Sequence, residues 1–320
     1  MTLDSDILID RRRLRRRLTV WRVVAILAVI AAIAFAAAQG DREPLSVFGR
    51  DHIARIAVSG FIGDNAKRHE LLEKLRKNPH VKAVIVAVDS PGGTTVGGEE
   101  LYLDLRELAQ AKPVAAVFGT VAASAAYLGG IATDYIVARG NTITGSVGVI
   151  FQWAEVSDLL SKLGIKVDEI RSGPLKAEPS PFTPASEEAR RLSEELVKES
   201  QVWFVDLVSE RRKDVAPHLD EIKTGRIYTG REALKIGLID AIGDEQTAIK
   251  WFTDMKKVES GLKVQDWKPE SGSDFGIFRS AAAAMADGLG LSRILDLSIL
   301  SGFDALKQRP LDGLFSIWHP

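Results

Sequence analysis

Val81-Lys-Ala-Val-Ile-Val-Ala-Val88 constrains this chain more than any other stretch. It holds one charge, and most of its side chains are β-branched, the composition of a strand buried on both faces. Such a strand sits inside a parallel sheet that helices cover. The segments around it keep that rhythm. Ile53–Ser59 reads as a strand, and Asp64 caps a helix running to Lys77 with Leu71, Leu72 and Leu75 on one side. Leu101, Leu105 and Leu108 mark a second helix. Val114–Phe118 is a short strand, followed by a small-residue helix near Ala122. Strands are expected at Tyr135–Ala138, Val147–Ile150 and Ile165–Ile170, with a helix over Val156–Leu163 that Gly164 ends. A long helix spans Pro184 to Lys213 with Thr183 as its N-cap. The alternation predicts an α/β domain with a largely parallel sheet.

Composition narrows the chemistry. The 320 residues, 46% hydrophobic and 27% charged, suffice for one large domain or two modest ones and argue against wholesale disorder. With no cysteine, disulfides, thiolate nucleophiles, zinc–cysteine sites and cysteine-held iron–sulfur clusters are excluded. The net charge of −1 hides an asymmetry: residues 1–22 carry seven arginines against three aspartates, a net +4, which leaves −5 on the rest. A mildly acidic body has no broad field to attract nucleic acid.

The arginines introduce an apolar run, Val23–Ala38. At 1.5 Å per residue it spans about 24 Å, and Leu18, Val20 and Trp21 extend it toward a bilayer core of about 30 Å. Basic residues on its N-terminal side keep that end in the cytoplasm. The preferred reading is a single-pass signal anchor in an inner membrane with the body beyond it, periplasmic in a Gram-negative cell. A cleaved signal peptide, with Ala36-Ala37-Ala38 offering small residues for cleavage, and a buried helix are the alternatives. The layout is then a basic cytoplasmic segment (1–22), an anchor (23–38), a linker (39–51), a catalytic body (52–257) and a C-terminal extension (258–320). In the extension, Ala281–Met285, Leu289–Leu300 and Leu314–Trp318 have the spacing of amphipathic helices, packed on the body or a neighbouring subunit, or laid on a membrane surface.

Four short motifs carry candidate chemistry, and each has a plain structural reading beside it. Ser90-Pro91-Gly92-Gly93 follows the buried strand, at the edge where open α/β sheets bind ligands. It reads as a Pro-Gly turn or as backbone N–H groups bared to hold an oxyanion. Ser124, in Gly119-Thr-Val-Ala-Ala-Ser-Ala-Ala-Tyr127, opens a helix among small residues, as a nucleophile or as a packing residue. Ser146 in Gly145-Ser-Val-Gly148 reads as a glycine turn or as a hydroxyl near the same site. Lys176, in Ser172-Gly-Pro-Leu-Lys-Ala-Glu-Pro-Ser-Pro181, is a solvated loop lysine or a base whose pKa burial lowers. His52, His69, His80, His218 and His319 each read as surface residues, so a Ser-His-Asp triad lacks support.

In this order the four motifs resemble the signal peptide peptidase A (SppA) family in its short, single-domain form. The resemblance runs from His52 to Trp251 and takes in Gly225-Arg-Ile-Tyr-Thr-Gly-Arg-Glu-Ala233 and Gly237-Leu-Ile-Asp240. It implies a Clp protease/crotonase-like fold and a serine–lysine dyad. Ser124 would be the nucleophile, Lys176 the general base, Ser146 the assisting hydroxyl, and Gly92 and Gly93 the oxyanion hole, with Gly93 the main donor. Ala125-Ala126 stand where the family often carries Gly-Gly, which bears on substrate preference. The family also implies a homo-oligomer, because some members complete their sites only by assembling.

The expected reaction is hydrolysis of peptide bonds through an acyl-enzyme, with no metal or cofactor required. Expected substrates are short apolar peptides at the membrane, such as released signal peptides. Three other readings compete: a related membrane protease that processes specific membrane proteins, a crotonase-type acyl-CoA enzyme, and a non-catalytic scaffold on a protease-like fold.

Overall fold

A computed structural model describes Trp21, residues 49–269 and the backbone of the strand Leu314–Ile317. The apolar run Val23–Ala38 and residues 270–313 lie outside the described residues. Among those described, no helix is long and apolar enough to cross a membrane.

From Asp51 onward the chain builds an α/β body. Its centre is β2 (Val81–Thr94), paired in parallel with β1 (His52–Ile62) on one side and β3 (Val114–Ala123) on the other. β4 (Tyr135–Ala138) and β8 (Ala241–Ile242) continue the sheet in parallel beyond β3, and β9 (Val264–Asp266) adds to β1. The sheet thus runs past Lys257 into the C-terminal extension.

Burial on both faces is what the Val81–Val88 run predicts, and residues along it divide by a period of two. Ile53, Ala83, Ile85, Ala115 and Val137 face one way, onto Ala248 and Phe252 of α8 (Glu245–Lys256). Ala54, Ile56, Val84, Val86 and Val88 face the other and form the larger core. That core takes in Leu72 and Leu75 of α1 (Ala66–Lys77) and Leu101, Leu105 and Leu108 of α2 (Thr95–Ala111). It also takes in all the apolar side chains of α3 (Ala125–Ile131) and Phe204, Val205 and Val208 of α5 (Glu187–Arg211).

Several boundaries differ from the sequence reading, each for a local reason. Asn65 caps α1 in place of Asp64, its side chain accepting from the Arg68 N–H at 3.1 Å. Ser186 caps α5 in place of Thr183, accepting from the Ala189 N–H at 3.1 Å. Val147–Ile150 is not one strand: β5 (Ile143–Gly145) ends where Ser146 turns to a φ of 52°, and β6 (Ile150–Phe151) starts afresh. Ile165–Ile170 forms no strand. Among the described residues it has no neighbour to pair with, and Ile165, Val167 and Ile170 are exposed. The helix over Val156–Leu163 appears as α4 (Ser157–Lys162), with Gly164 at a φ of 72°. Leu314–Ile317 is a strand, β10, not part of a helix.

The motifs at the far end of the body are structural. Thr229 joins β7 (Ile227–Thr229) to α7 (Gly230–Lys235) through a capping box with Glu232. A Cβ on Gly230 would lie 2.1 Å from the Arg139 carbonyl oxygen. Asp240 accepts from the Ile136 N–H at 2.7 Å and from Arg212 at 2.9 Å, which ties Gly237–Asp240 to both β4 and the end of α5.

Candidate active site

The site forms where the sheet comes apart. β2 and β3 stay paired up to Ser90 opposite Ala122. On its other edge β3 pairs in parallel with β5, with Val121, Ala122 and Ala123 opposite Ile143, Thr144 and Gly145. The carboxyl ends of β2 and β3 form the edge at which open α/β sheets bind ligands.

Ser124, 1% exposed, lies at this edge between β3 and α3. Its backbone holds φ 58° and ψ −121°, a conformation that costs a non-glycine residue on the order of 1–3 kcal/mol. The surroundings fix it there. Its N–H donates to the Gly145 carbonyl at 2.9 Å, and its own carbonyl accepts from the Leu128 N–H at 2.9 Å. The result is a strained turn between strand and helix, the setting in which serine nucleophiles are found. Its Oγ lies 3.5 Å from the Gly148 carbonyl oxygen. Only small side chains fit beneath, because a Cβ on Gly98 would come within 2.9 Å of the Ala125 Cβ.

Gly92 and Gly93 form the opposite wall. Gly92 has a φ of 118°, which disfavours side chains. A Cβ on Gly93 would lie 1.8 Å from the Ile62 carbonyl oxygen, so this position admits no other residue. The Gly92 N–H donates to Ser90 Oγ at 3.1 Å, and the Ser90 hydroxyl donates to the Gly60 carbonyl at 2.6 Å. Ser90 is therefore a buried clamp on the glycine turn, a role its position beside Pro91 did not disclose.

Ser146 is 9% exposed, one residue beyond Gly145, and its N–H donates to the Arg226 carbonyl at 2.9 Å. The same stretch thus supplies Gly145 to the Ser124 backbone, Gly148 to the Ser124 hydroxyl, and Ser146 beside both. Gly225–Ala233 supports it from outside, through β7 paired antiparallel with β5.

Lys176 stands apart. It lies in residues 152–186, an arm that is exposed along most of its length. Within the arm, the Lys176 N–H donates to the Gly173 carbonyl at 3.1 Å, and Arg171 bridges Glu169 and Glu178 around the loop. Among the described residues the Lys176 ammonium makes no hydrogen bond to Ser124 or Ser146. Hydrogen bonds tie Ser124 to the Gly145–Gly148 stretch that holds Ser146, Gly92 and Gly93 lie near the end of the neighbouring strand β2, and Lys176 is exposed.

The histidine reading needs one correction. His52 is 2% exposed, stacked on Trp267, and its Nε2 accepts from the Trp267 indole N–H at 3.2 Å. It begins β1, at the opposite end of that strand from its pairing with Gly92 and Gly93. Two cavities flank the sheet. One of about 490 Å³, between Arg55, Asp89, Arg139 and the start of α8, holds none of the site residues. The other, about 460 Å³, adjoins β6 and is lined by Val149, Ile150, Phe151 and Trp153.

The model of peptidase family S49 matches residues 106–259. A putative protease of Methanocaldococcus jannaschii is 30% identical over 301 residues, 89% of this chain and 94% of that protein. A putative protease of Synechocystis is 34% identical over 263 residues, 79% of this chain and 92% of its own. The chain belongs to peptidase family S49. A further relative, the putative signal peptide peptidase SppA of Enterococcus faecium, is 30% identical over 227 residues, 67% of this chain and 66% of that one. As an S49 member the chain is a serine endopeptidase. The matched residues 106–259 include Ser124, Ser146 and Lys176; Gly92 and Gly93 precede them.

Proposed function

We propose that this S49 peptidase is a membrane-anchored serine–lysine endopeptidase that degrades short apolar peptides, released signal peptides among them. The observation that carries the reading is the conformation of Ser124. A buried serine is held at positive φ where a strand enters a helix, and the neighbouring strand carries a glycine that cannot be replaced. Strain of this kind persists where surroundings over-determine a residue and clusters at active sites.

In the reaction, neutral Lys176 takes the Ser124 proton as Oγ attacks the peptide carbonyl. The oxyanion forms beside the Gly93 N–H, the better placed of the pair because Ser90 occupies that of Gly92. Lys176 then protonates the leaving amine and activates a water that releases the acyl group. Ser146 orients the lysine amine. The arm that carries Lys176 is exposed and bears apolar side chains, among them Leu159, Leu163 and Phe182. This supports a homo-oligomer in which packing buries the arm and desolvates the base.

The cavity beside β6, with Trp153 under the Arg190 guanidinium at 5.9 Å, suits an apolar substrate side chain. The anchor at Val23–Ala38 would hold the body against the membrane that releases such peptides, with the basic N-terminus in the cytoplasm. The test is a peptide-hydrolysis panel on the full chain, Ser124→Ala and Lys176→Ala. Hydrolysis of apolar peptides by the full chain alone is the expected result. Full activity in either variant overturns the dyad.

A further inference from the structure

The register of the central strands breaks just before Ser124. Val88 of β2 stands opposite Phe118 of β3, and the next pair is Ser90 opposite Ala122, so β2 advances two residues while β3 advances four. Gly119, Thr120 and Val121 make up the bulge, and Ala122, Ala123 and Ser124 follow it directly. Bulges beside active sites re-aim a side chain. The direction in which β3 delivers Ser124 therefore depends on what holds this bulge.

β5 pairs with its far edge, and side chains hold the remainder. On the β5 side, the Thr142 hydroxyl donates to the Gly119 carbonyl at 2.7 Å, and the Thr144 hydroxyl donates to the Ala122 carbonyl at 2.7 Å. On the β2 side, Asp89 Oδ1 accepts from the Val121 N–H at 3.0 Å. A carboxylate oxygen takes the place of the carbonyl that an unbroken ladder would offer. Gly119 leaves room for it, since a Cβ there would lie 3.0 Å from the Asp89 Cγ. Asp89 is exposed and adds nothing to the core. The next residue, Ser90, holds Gly60 and Gly92. Two successive residues of β2 thus grip the strand that carries Ser124 and the turn that carries the glycine pair.

We propose that Asp89 is a positioning residue, whose carboxylate oxygen fixes Val121 and, through the bulge, the aim of the Ser124 hydroxyl at a carbonyl held beside Gly93. The proposal rests on the endopeptidase reading above and adds to it a residue that acts through the backbone. What Asp89 supplies is an acceptor. Asparagine supplies the same oxygen, and alanine supplies none. Lost aim slows attack more than it weakens binding, because a misplacement of about 1 Å can cost about 100-fold in rate.

The experiment measures hydrolysis of an apolar reporter peptide by the full chain, Asp89→Ala and Asp89→Asn. Asp89→Ala should lower kcat by about 10- to 100-fold with KM within about twofold of the parent, and Asp89→Asn should recover kcat to within about threefold. A peptide boronate, which takes up the geometry of attack at Ser124, should bind Asp89→Ala more weakly by the factor by which kcat falls. Both variants should melt within a few degrees of the parent, because the altered side chain is exposed. A second readout needs no turnover. Amide hydrogen exchange at Val121 should be faster in Asp89→Ala than in the parent or Asp89→Asn. Unchanged kcat in Asp89→Ala, a loss confined to KM, an equal loss in Asp89→Asn, or equal Val121 exchange in all three forms would overturn the proposal. So would an Asp89→Ala chain that no longer folds, since the residue would then be structural. If no form hydrolyses peptides, the endopeptidase reading fails, while Val121 exchange still decides whether Asp89 holds the bulge.

Discussion

The surroundings of Ser124 and those of Lys176 are built on opposite terms. Ser124 is buried at 1% exposure, hydrogen-bonded through its backbone on both sides, and followed by a helix whose every residue is buried. Lys176 is exposed, on an arm whose helix α4 buries nothing and whose Ile170 is fully in solvent. The proposed nucleophile and oxyanion wall are therefore properties of one folded body. Lys176, the proposed base, is on a segment that this body does not position. Hydroxyl geometry must be accurate before attack, whereas a lysine becomes a base only once it is desolvated. Separating the two lets the body fold with its strained serine in place and leaves the charge change to assembly.

The largest effects test that division directly. Ser124→Ala and Lys176→Ala should each lower kcat by at least about 10³-fold, the scale seen when a nucleophile or its base is removed. Both should melt like the parent, since neither side chain holds the body together. Mixing the two inactive variants sharpens the comparison. Recovered hydrolysis would mean that one copy's arm serves another copy's serine. If mixing restores nothing under conditions where the parent assembles, the arm must swing back onto its own body.

Gly93→Ala comes next and touches the body alone. Its Cβ would meet the Ile62 carbonyl at 1.8 Å, so β1 and β2 must separate locally. A loss of about 3 kcal/mol in stability, together with a fall in kcat, is expected from overpacking against backbone. Urea denaturation and a hydrolysis assay on the same preparation check both. An unchanged midpoint would show that the wall yields more easily than its packing indicates.

Core truncation separates the regions by stability. Leu105→Ala, at a position with no exposure beneath the sheet, should cost about 2–5 kcal/mol. Leu163→Ala, 64% exposed on the arm, should change stability of the dissociated chain by less than about 0.5 kcal/mol. If Leu163→Ala also weakens association at low protein concentration, the arm's apolar side chains belong to a subunit contact.

These contrasts explain what could be read from the residues alone. Val81–Val88 declared a two-faced strand because burial on both sides demands apolar residues at every position, and the periodic leucines of α2 declared its cover. Ser124, Ser146 and the glycine pair stood out as short motifs of small residues, which encode close approach, and the roles proposed for them come from the family resemblance. What escaped notice depends on distant partners. Ile165–Ile170 has strand composition, yet pairing is absent within the described chain. Ser90 looked like a turn residue, and its clamp on Gly60 and Gly92 appears only once β1 lies beside β2. Leu314–Trp318 fitted a helical spacing, but backbone edges offered by Gly92–Thr94 and Ile150–Phe151 decide for a strand. Local pattern does not record an edge supplied from more than 150 residues away.

The smallest expected effect concerns charge, and it again divides body from arm. In the body, His69 on α1 donates to Asp104 on α2 at 2.7 Å, and this hydrogen bond to a carboxylate raises the histidine's pKa. In the arm, Arg171 between Glu169 and Glu178 stays charged across the neutral range. A histidine with a raised folded-state pKa stabilises fully below its ordinary value, and that contribution is lost as the pH climbs through the raised one. The pair is half exposed on the histidine side, so solvent screening holds its worth to a few tenths of a kcal/mol. The melting temperature should therefore fall slightly between about pH 6 and pH 9, and His69→Asn should flatten that slope. Arg171→Gln should leave the slope as it is. A slope that survives His69→Asn but disappears with Arg171→Gln would reverse the assignment and make the arm part of the cooperative fold.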